Sequence, residues 1–257
     1  MNNHIVVIGT GEMSGVFTRG LLKLGHPVIP VKRHTDMGQM AKALAPPVLV
    51  MVAVGEADLH PVLESIPNEW RDRLVLLQNE LLPRDWRAHR IIDPTVISVW
   101  FEKKKGQDYK VLVPSPVFGP HARVIEQALA SLEIPSWELA SNDELEFELV
   151  RKNVYILTTN ISGLELPAGT TVDTLWQHHR PLALEIAHEV MDIQFHLIGH
   201  ELDRDKLLAG LEEGIYGDLD HVCTGRSAPA RLRRNLGFAD QADLGVSRMR
   251  AIAGRLN

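Results

Sequence analysis

A chain of 257 residues with 45% hydrophobic and 23% charged side chains carries enough apolar surface for one large or two ordinary globular domains, which excludes a disordered protein. Its formal net charge of -6 lacks the basic footprint of a nucleic-acid-binding domain. A single cysteine, Cys223, excludes an intramolecular disulfide and a cysteine-based zinc site.

The first residues, Met1 to His4, are polar, and the short apolar run behind them breaks at Gly9, so no secretory signal is expected. The β-branched run Ile5-Val6-Val7-Ile8 has no polar alternation, as in a parallel strand buried on both faces. It leads into Gly9-Thr10-Gly11-Glu12-Met13-Ser14-Gly15, after which a helical pattern runs to Leu24 and Gly25 closes it. Further strands are predicted at Val28–Val31, Val48–Val54, Leu74–Leu77, Val96–Val99, Val111–Val113 and Trp137–Leu139. Strands alternating with helices predict a doubly wound α/β sheet of the Rossmann type. Near Ala140 the character changes. Ser141 to Glu144 has the form of a capping box, helical patterns dominate beyond it, and Pro181 and Gly199 mark the ends of one further helix. The expected organisation is a nucleotide-binding domain over 1–140 and an all-α domain over 141–257. The stretch Pro181 to Gly199 includes Glu185, His188, Glu189, Asp192 and His196, so it is not a membrane span. The reading is of a cytoplasmic protein with neither nucleic-acid nor membrane partners.

The glycine turn has residue types that a dinucleotide requires. Gly9 permits a tight turn out of the strand, and Gly11 lets backbone approach a pyrophosphate at the N-terminus of the following helix, where unpaired N–H groups favour anions. In the G-x-G-x-x-G pattern the third glycine allows close helix packing; here that position is Ser14, with Gly15 one residue later. The cofactor-binding candidates are therefore Gly9, Thr10, Gly11, Glu12, Met13 and Ser14. At the end of the second strand, where NAD-binding domains place an acid for the ribose hydroxyls, this chain reads Val31-Lys32-Arg33-His34. A guanidinium can hold a 2′-phosphate through paired N–H bonds, so Lys32 and Arg33 point to NADP(H), with Arg33 as the phosphate contact. A solvated basic loop is the plainer account of the same pair.

With the glycine turn, Arg33, the strand end Leu76-Leu77-Gln78-Asn79, and Arg151-Lys152 through Asn160 in a helix of the second part, the chain resembles the ketopantoate reductase family, the NADP-dependent 2-dehydropantoate 2-reductases. The resemblance spans most of the chain. It implies a Rossmann domain followed by a helical domain, an active site in the cleft between them, and hydride transfer from NADPH to the keto carbon of a small 2-oxo acid. It also implies Lys152 as proton donor, with Asn79 and Asn160 shaping the site and Ser227 binding substrate. The sequence departs from the family at Ile156, where an asparagine is usual, and at Glu80, where a glycine follows Gln-Asn. Val54-Gly55-Glu56 supplies no lysine, and no glutamate follows Ser227. A protein that binds NADP(H) without turnover, as a sensor or interaction module, is the alternative these departures favour.

Other residues have competing readings. Lys152 could equally form a surface pair with Glu148, four residues earlier. Asn79 could be a turn asparagine. Arg226, beside Ser227, is a candidate for the substrate carboxylate, in a segment where Arg231, Arg233 and Arg234 also crowd. His188, Asp192, His196 and His200 recur at helical spacing, but no zinc motif occurs and no metal is expected. Cys223 reads as a small buried residue. The partners expected are a small-molecule substrate and, from the apolar helical second domain, a second copy in a homodimer.

Overall fold

The computed structural model describes residues 3–256. The chain divides into two compact units, Met1–Glu148 and Leu149–Asn257.

The first unit begins with β1 (Ile5–Ile8), α1 (Glu12–Lys23), β2 (Val28–Val31), α2 (Met37–Ala43), β3 (Val50–Val52), α3 (Leu59–Ser65) and β4 (Leu74–Leu76). It continues through α4 (Pro83–Arg87), β5 (Thr95–Ile97), β6 (Phe101–Lys103), β7 (Tyr109–Val111), β8 (Ser115–Phe118), α5 (Ala122–Ala130) and β9 (Ser136–Glu138). A seven-stranded sheet runs β2-β1-β3-β4-β5-β8-β9. β1 pairs in parallel with both β2 and β3, Ile8 opposite Val31 on one side and Val52 on the other. The chain thus leaves β1 for one neighbour and returns on the other, which makes the carboxyl end of β1 a topological switch point.

Burial explains the apolar runs. All four residues of β1 are buried, as are all three of β3 and of β4, because helices cover both faces of a parallel sheet. One core layer joins Ile5, Val7, Met51 and Val75 to Phe17 and Leu21 of α1 and to Ile125 and Leu129 of α5.

Two strands differ from the sequence pattern. The run Val111–Val113 lies largely outside the main sheet: β7 pairs only with β6, as a separate antiparallel hairpin. The strand beside β5 is instead β8, antiparallel to it, so the sheet is mixed. β8 contains Pro116, which lacks an N–H and ordinarily argues against a strand. At that position the ladder keeps one bond of the pair, from the Ser98 N–H to the Pro116 carbonyl at 3.0 Å, and proline returns none.

α6 (Asn142–Gly163) starts where the capping pattern placed it. The Glu144 N–H donates to Ser141 Oγ at 3.2 Å, and the Ala140 N–H donates to the Glu144 carboxylate at 2.8 Å. The second unit is helical: the rest of α6, then α7 (Val172–His178), α8 (Arg180–Ile198), α9 (Arg204–Gly217), α10 (Ala228–Gln241) and α11 (Ser247–Arg255). Pro181 sits in the first turn of α8, and Gly199 ends it at φ +87°. Glu189 of α8 caps α11, its carboxylate accepting from the Arg248 and Met249 N–H groups at 2.7 and 2.9 Å. A carboxylate there satisfies orphan donors and meets the positive end of the helix dipole.

α1 and α5 cross closely at Gly20, where a Cβ would stand 2.4 Å from the Ala128 carbonyl oxygen. Ala is favoured over Gly in a helix by about 1 kcal/mol, yet overpacking against fixed backbone costs about 1–3 kcal/mol. Gly20→Ala should therefore lower the unfolding midpoint in a denaturant titration; a stabilised variant would show that the helices do not meet there.

Candidate functional site

The glycine turn connects β1 to α1 and is held by contacts that leave little freedom at Gly9. Its N–H donates to the Val31 carbonyl at 3.0 Å, its φ is +102°, and a Cβ would lie 2.4 Å from the Ala53 carbonyl oxygen. Only glycine fits such a position. Gly11 is the opposite case. It is the N-cap of α1, and nothing lies within 4 Å of where its Cβ would be. The first helical backbone bond runs from the Gly15 N–H to the Gly11 carbonyl at 3.1 Å, so the Glu12, Met13 and Ser14 amides have no partner within the helix. An open backbone cradle with outward amides suits a diphosphate.

Ser14, in the third glycine position, is buried, and its hydroxyl donates back to the Gly11 carbonyl at 2.7 Å. The close helix packing assigned to that glycine is found instead at Gly20, while Gly15 has open space around it.

Beside the turn, at the switch point, a cavity of about 280 Å³ is lined by Gly11, Glu12, Met13, Ala53, Val54, Gly55, Glu56, Leu77, Gln78 and Asn79. Gln78 builds its wall. The buried side-chain amide donates to the Val52 carbonyl at 2.6 Å, and its oxygen accepts from the Leu77 N–H at 3.2 Å. This ties the ends of β3 and β4 together and leaves Asn79 on the cavity lining. Glu80 follows at φ +61°, keeping the left-handed conformation that a glycine would adopt without strain. The structuring role of Gln78 had no signal in the sequence beyond its place in the strand end.

The structure thus gathers Gly11, Glu12, Met13 and Asn79 around one cavity, with Gly9 and Ser14 shaping the turn and Thr10 exposed beside it. Lys32 and Arg33 do not line that cavity. Both are exposed at the end of β2, and the Arg33 guanidinium lies 3.3 Å from the Asp58 carboxylate. An exposed pair of this kind is worth at most about 1 kcal/mol, so it leaves Arg33 available to a stronger anion.

In the second unit Lys152 is buried on α6, with Ile156 and Asn160 one and two turns further along. The Asn160 carboxamide is engaged on both sides. Its oxygen accepts from Arg231 at 2.8 Å, and its nitrogen donates to the Cys223 carbonyl at 3.0 Å. The Asn235 side chain in turn donates to the Arg231 carbonyl at 3.0 Å. Arg231 is therefore a buried structural cation joining α10 to α6. Arg226 and Ser227 lie exposed in the turn before α10. Of the histidine series, His188, Asp192 and His196 lie on α8, which ends before His200, and Asp192 pairs with Arg204 at 2.7 Å.

No family model matches the chain, and no curated protein matches it. Solved structures do. A probable 2-dehydropantoate 2-reductase from Bacillus subtilis is 15% identical, covering 98% of both chains with a TM-score of 0.67. The chain has the ketopantoate reductase fold. A D-mandelate dehydrogenase solved with NADH and anilino(oxo)acetate matches at 12% identity over 97% of this chain and 96% of that one, TM-score 0.66. A dimeric ketopantoate reductase from Staphylococcus aureus matches at 12% identity over 98% and 97%, TM-score 0.62. Within this fold the glycine turn and the Gln78-Asn79 strand end occupy the carboxyl edge of the sheet, where open α/β sheets take ligands.

Cys223 is packed under α6: a Cβ on Gly163 would stand 2.6 Å from the Cys223 Cβ. Burial pushes the thiol up to about 11, so it stays protonated and unreactive at neutral pH. The native protein should resist an aromatic disulfide reagent at pH 8 and react fully in denaturant; fast native labelling would contradict this packing.

Proposed function

We propose that the protein is an NADPH-dependent reductase of a small 2-oxo acid or related carbonyl compound. The observation that carries the reading is the open cradle at Gly11, with outward amides beside the switch-point cavity, in a fold shared end to end with ketopantoate reductases. The D-mandelate dehydrogenase of this fold, solved with NADH and anilino(oxo)acetate, supports the substrate class.

In this account the Glu12, Met13 and Ser14 amides bind the pyrophosphate, and Arg33 exchanges Asp58 for the 2′-phosphate. The bound dinucleotide supplies a hydride. The chain's residues handle the rest. Lys152 donates a proton to the carbonyl oxygen as negative charge develops there, and Asn79 orients the carbonyl from the cavity lining. Arg226, exposed and uncommitted to the core, binds the substrate carboxylate with Ser227 beside it. Asn160 holds the loop carrying Cys223, and through it the approach to these residues. The working form is a homodimer in the cytoplasm.

A second reading has its own observation. The carboxamide of Asn160 is engaged by Arg231 and Cys223, and the apolar Ile156 lies on the same helix stripe. Both favour a protein that binds NADP(H) without turning it over.

Reduction of a 2-oxo acid panel, followed as loss of NADPH absorbance, separates the two. Turnover is expected with at least one acid, falling about 100-fold or more in Lys152→Ala. Arg33→Asp should remove the preference for NADPH over NADH. Tight NADPH binding with no turnover on any carbonyl would establish the sensor instead, and an unchanged preference in Arg33→Asp would refute the phosphate contact.

A further inference from the structure

The glycine turn carries an unfavourable charge. Glu12, the first residue of α1, puts a carboxylate at the helix end where a diphosphate would sit, and Glu56 adds another to the switch-point cavity, which has no cationic side chain in its lining. Two carboxylates beside a doubly charged pyrophosphate would oppose binding unless a cation stood near.

The β6–β7 hairpin supplies one. Although outside the main sheet, it is fixed on α1: the Phe101 ring lies 5.9 Å from Phe17, and the Arg19 guanidinium stacks 5.8 Å from the Tyr109 ring. The Tyr109 hydroxyl donates to the Leu132 carbonyl, which anchors the strand from behind. The register sets Lys103 opposite Tyr109, at the end of β6. Its ammonium donates to the carbonyls of Lys104 (3.0 Å) and Gln107 and stands 3.4 Å from the Glu12 carboxylate. The side chain is only 20% exposed. A second cavity, about 300 Å³, opens on this side of the turn, bordered by Thr10, Gly11, Glu12, Arg19 and Lys103 among others. Arg19 is already stacked on Tyr109, so Lys103 is the cation positioned at the turn itself.

We infer that Lys103 is the pyrophosphate counter-charge: it neutralises Glu12 in the free protein and moves the short distance to the phosphate oxygens when a dinucleotide binds. This deepens the nucleotide-binding reading and rests on it. Because the pyrophosphate is common to NADPH and NADH, Lys103 sets affinity for both, whereas Arg33 sets the choice between them. Holding the ammonium on two hairpin carbonyls reduces the entropy lost on binding and keeps the charge at the turn.

The test is titration of NADPH and of NADH into the full chain, read by calorimetry, for the parent protein and for Lys103→Met, Lys103→Arg and Glu12→Gln. Loss of a charge-assisted contact should weaken both dinucleotides about tenfold or more, and equally, in Lys103→Met. Lys103→Arg should retain most of the affinity. Glu12→Gln should bind both more tightly, and adding it to Lys103→Met should recover part of the loss. Lys104→Met, on the same hairpin but paired with Glu102, should bind like the parent. Parental affinity in Lys103→Met overturns the assignment while leaving the nucleotide site intact. Absence of binding to either dinucleotide in the parent protein overturns both. Should Lys103→Met fail to fold, Lys103→Gln, which keeps a polar end for the hairpin carbonyls without the charge, should weaken both dinucleotides equally, and parental affinity there overturns the assignment.

Discussion

Gly9 meets the carbonyl of Ala53 with no room for a side chain, and the features of the candidate site follow from that contact. With no side chain at residue 9, β1 can turn sharply at its carboxyl end while β3 lies directly alongside. That turn aims α1 so that its N-terminal amides face outward and Gly11 stands in the open. A methyl group at Gly9 would meet the carbonyl of Ala53, a residue of the cavity lining, and push the turn off β3. Gln78 has the complementary role across the crevice, since its amide bonds to the Val52 carbonyl set the distance between the β3 and β4 ends. Backbone geometry, more than charge, makes this edge of the sheet the candidate site.

Charge decides what the edge can hold. The exposed cations Lys32 and Arg33 stand at the β2 end, with Asp58 as a weak competitor for Arg33, while Glu12 and Glu56 line the cavity itself. Under the proposed function, selectivity and affinity for an anionic cofactor are assigned to different elements. That reading gives the ribose phosphate to the loop after β2, where Arg33 meets Asp58, and the diphosphate to the hairpin, where Lys103 meets Glu12. The hairpin is a separate two-stranded sheet, and its Lys103 end lies at the glycine turn.

Much of the fold was legible because parallel strands buried on both faces leave uninterrupted apolar runs, as at Ile5–Ile8, and because caps are chemically explicit, as at Ser141 and Gly199. β8 was not legible, since Pro116 has no N–H and its place in the sheet depends on a carbonyl accepting from Ser98, a contact between distant residues. The same limit applies to the site. The turn residues Gly9 to Ser14 are contiguous and carry their chemistry in order. Lys103 could not be found that way, because its position beside Glu12 exists only once the hairpin packs on α1. Asn160 shows the converse: a residue type suited to substrate binding, whose hydrogen-bond capacity Arg231 and Cys223 draw on in the folded unit.

The central claim is that the open backbone at Gly11 is kept for a dinucleotide and not for the fold. The Gly11→Val variant tests it, because nothing lies within 4 Å of where its Cβ would stand, and the melting temperature reports whether the rest of the side chain fits. Melting temperature and NADPH affinity measured together on this variant give the answer. The account predicts a melting temperature close to that of the parent and loss of NADPH binding. Unimpaired NADPH binding in a folded Gly11→Val protein would contradict it.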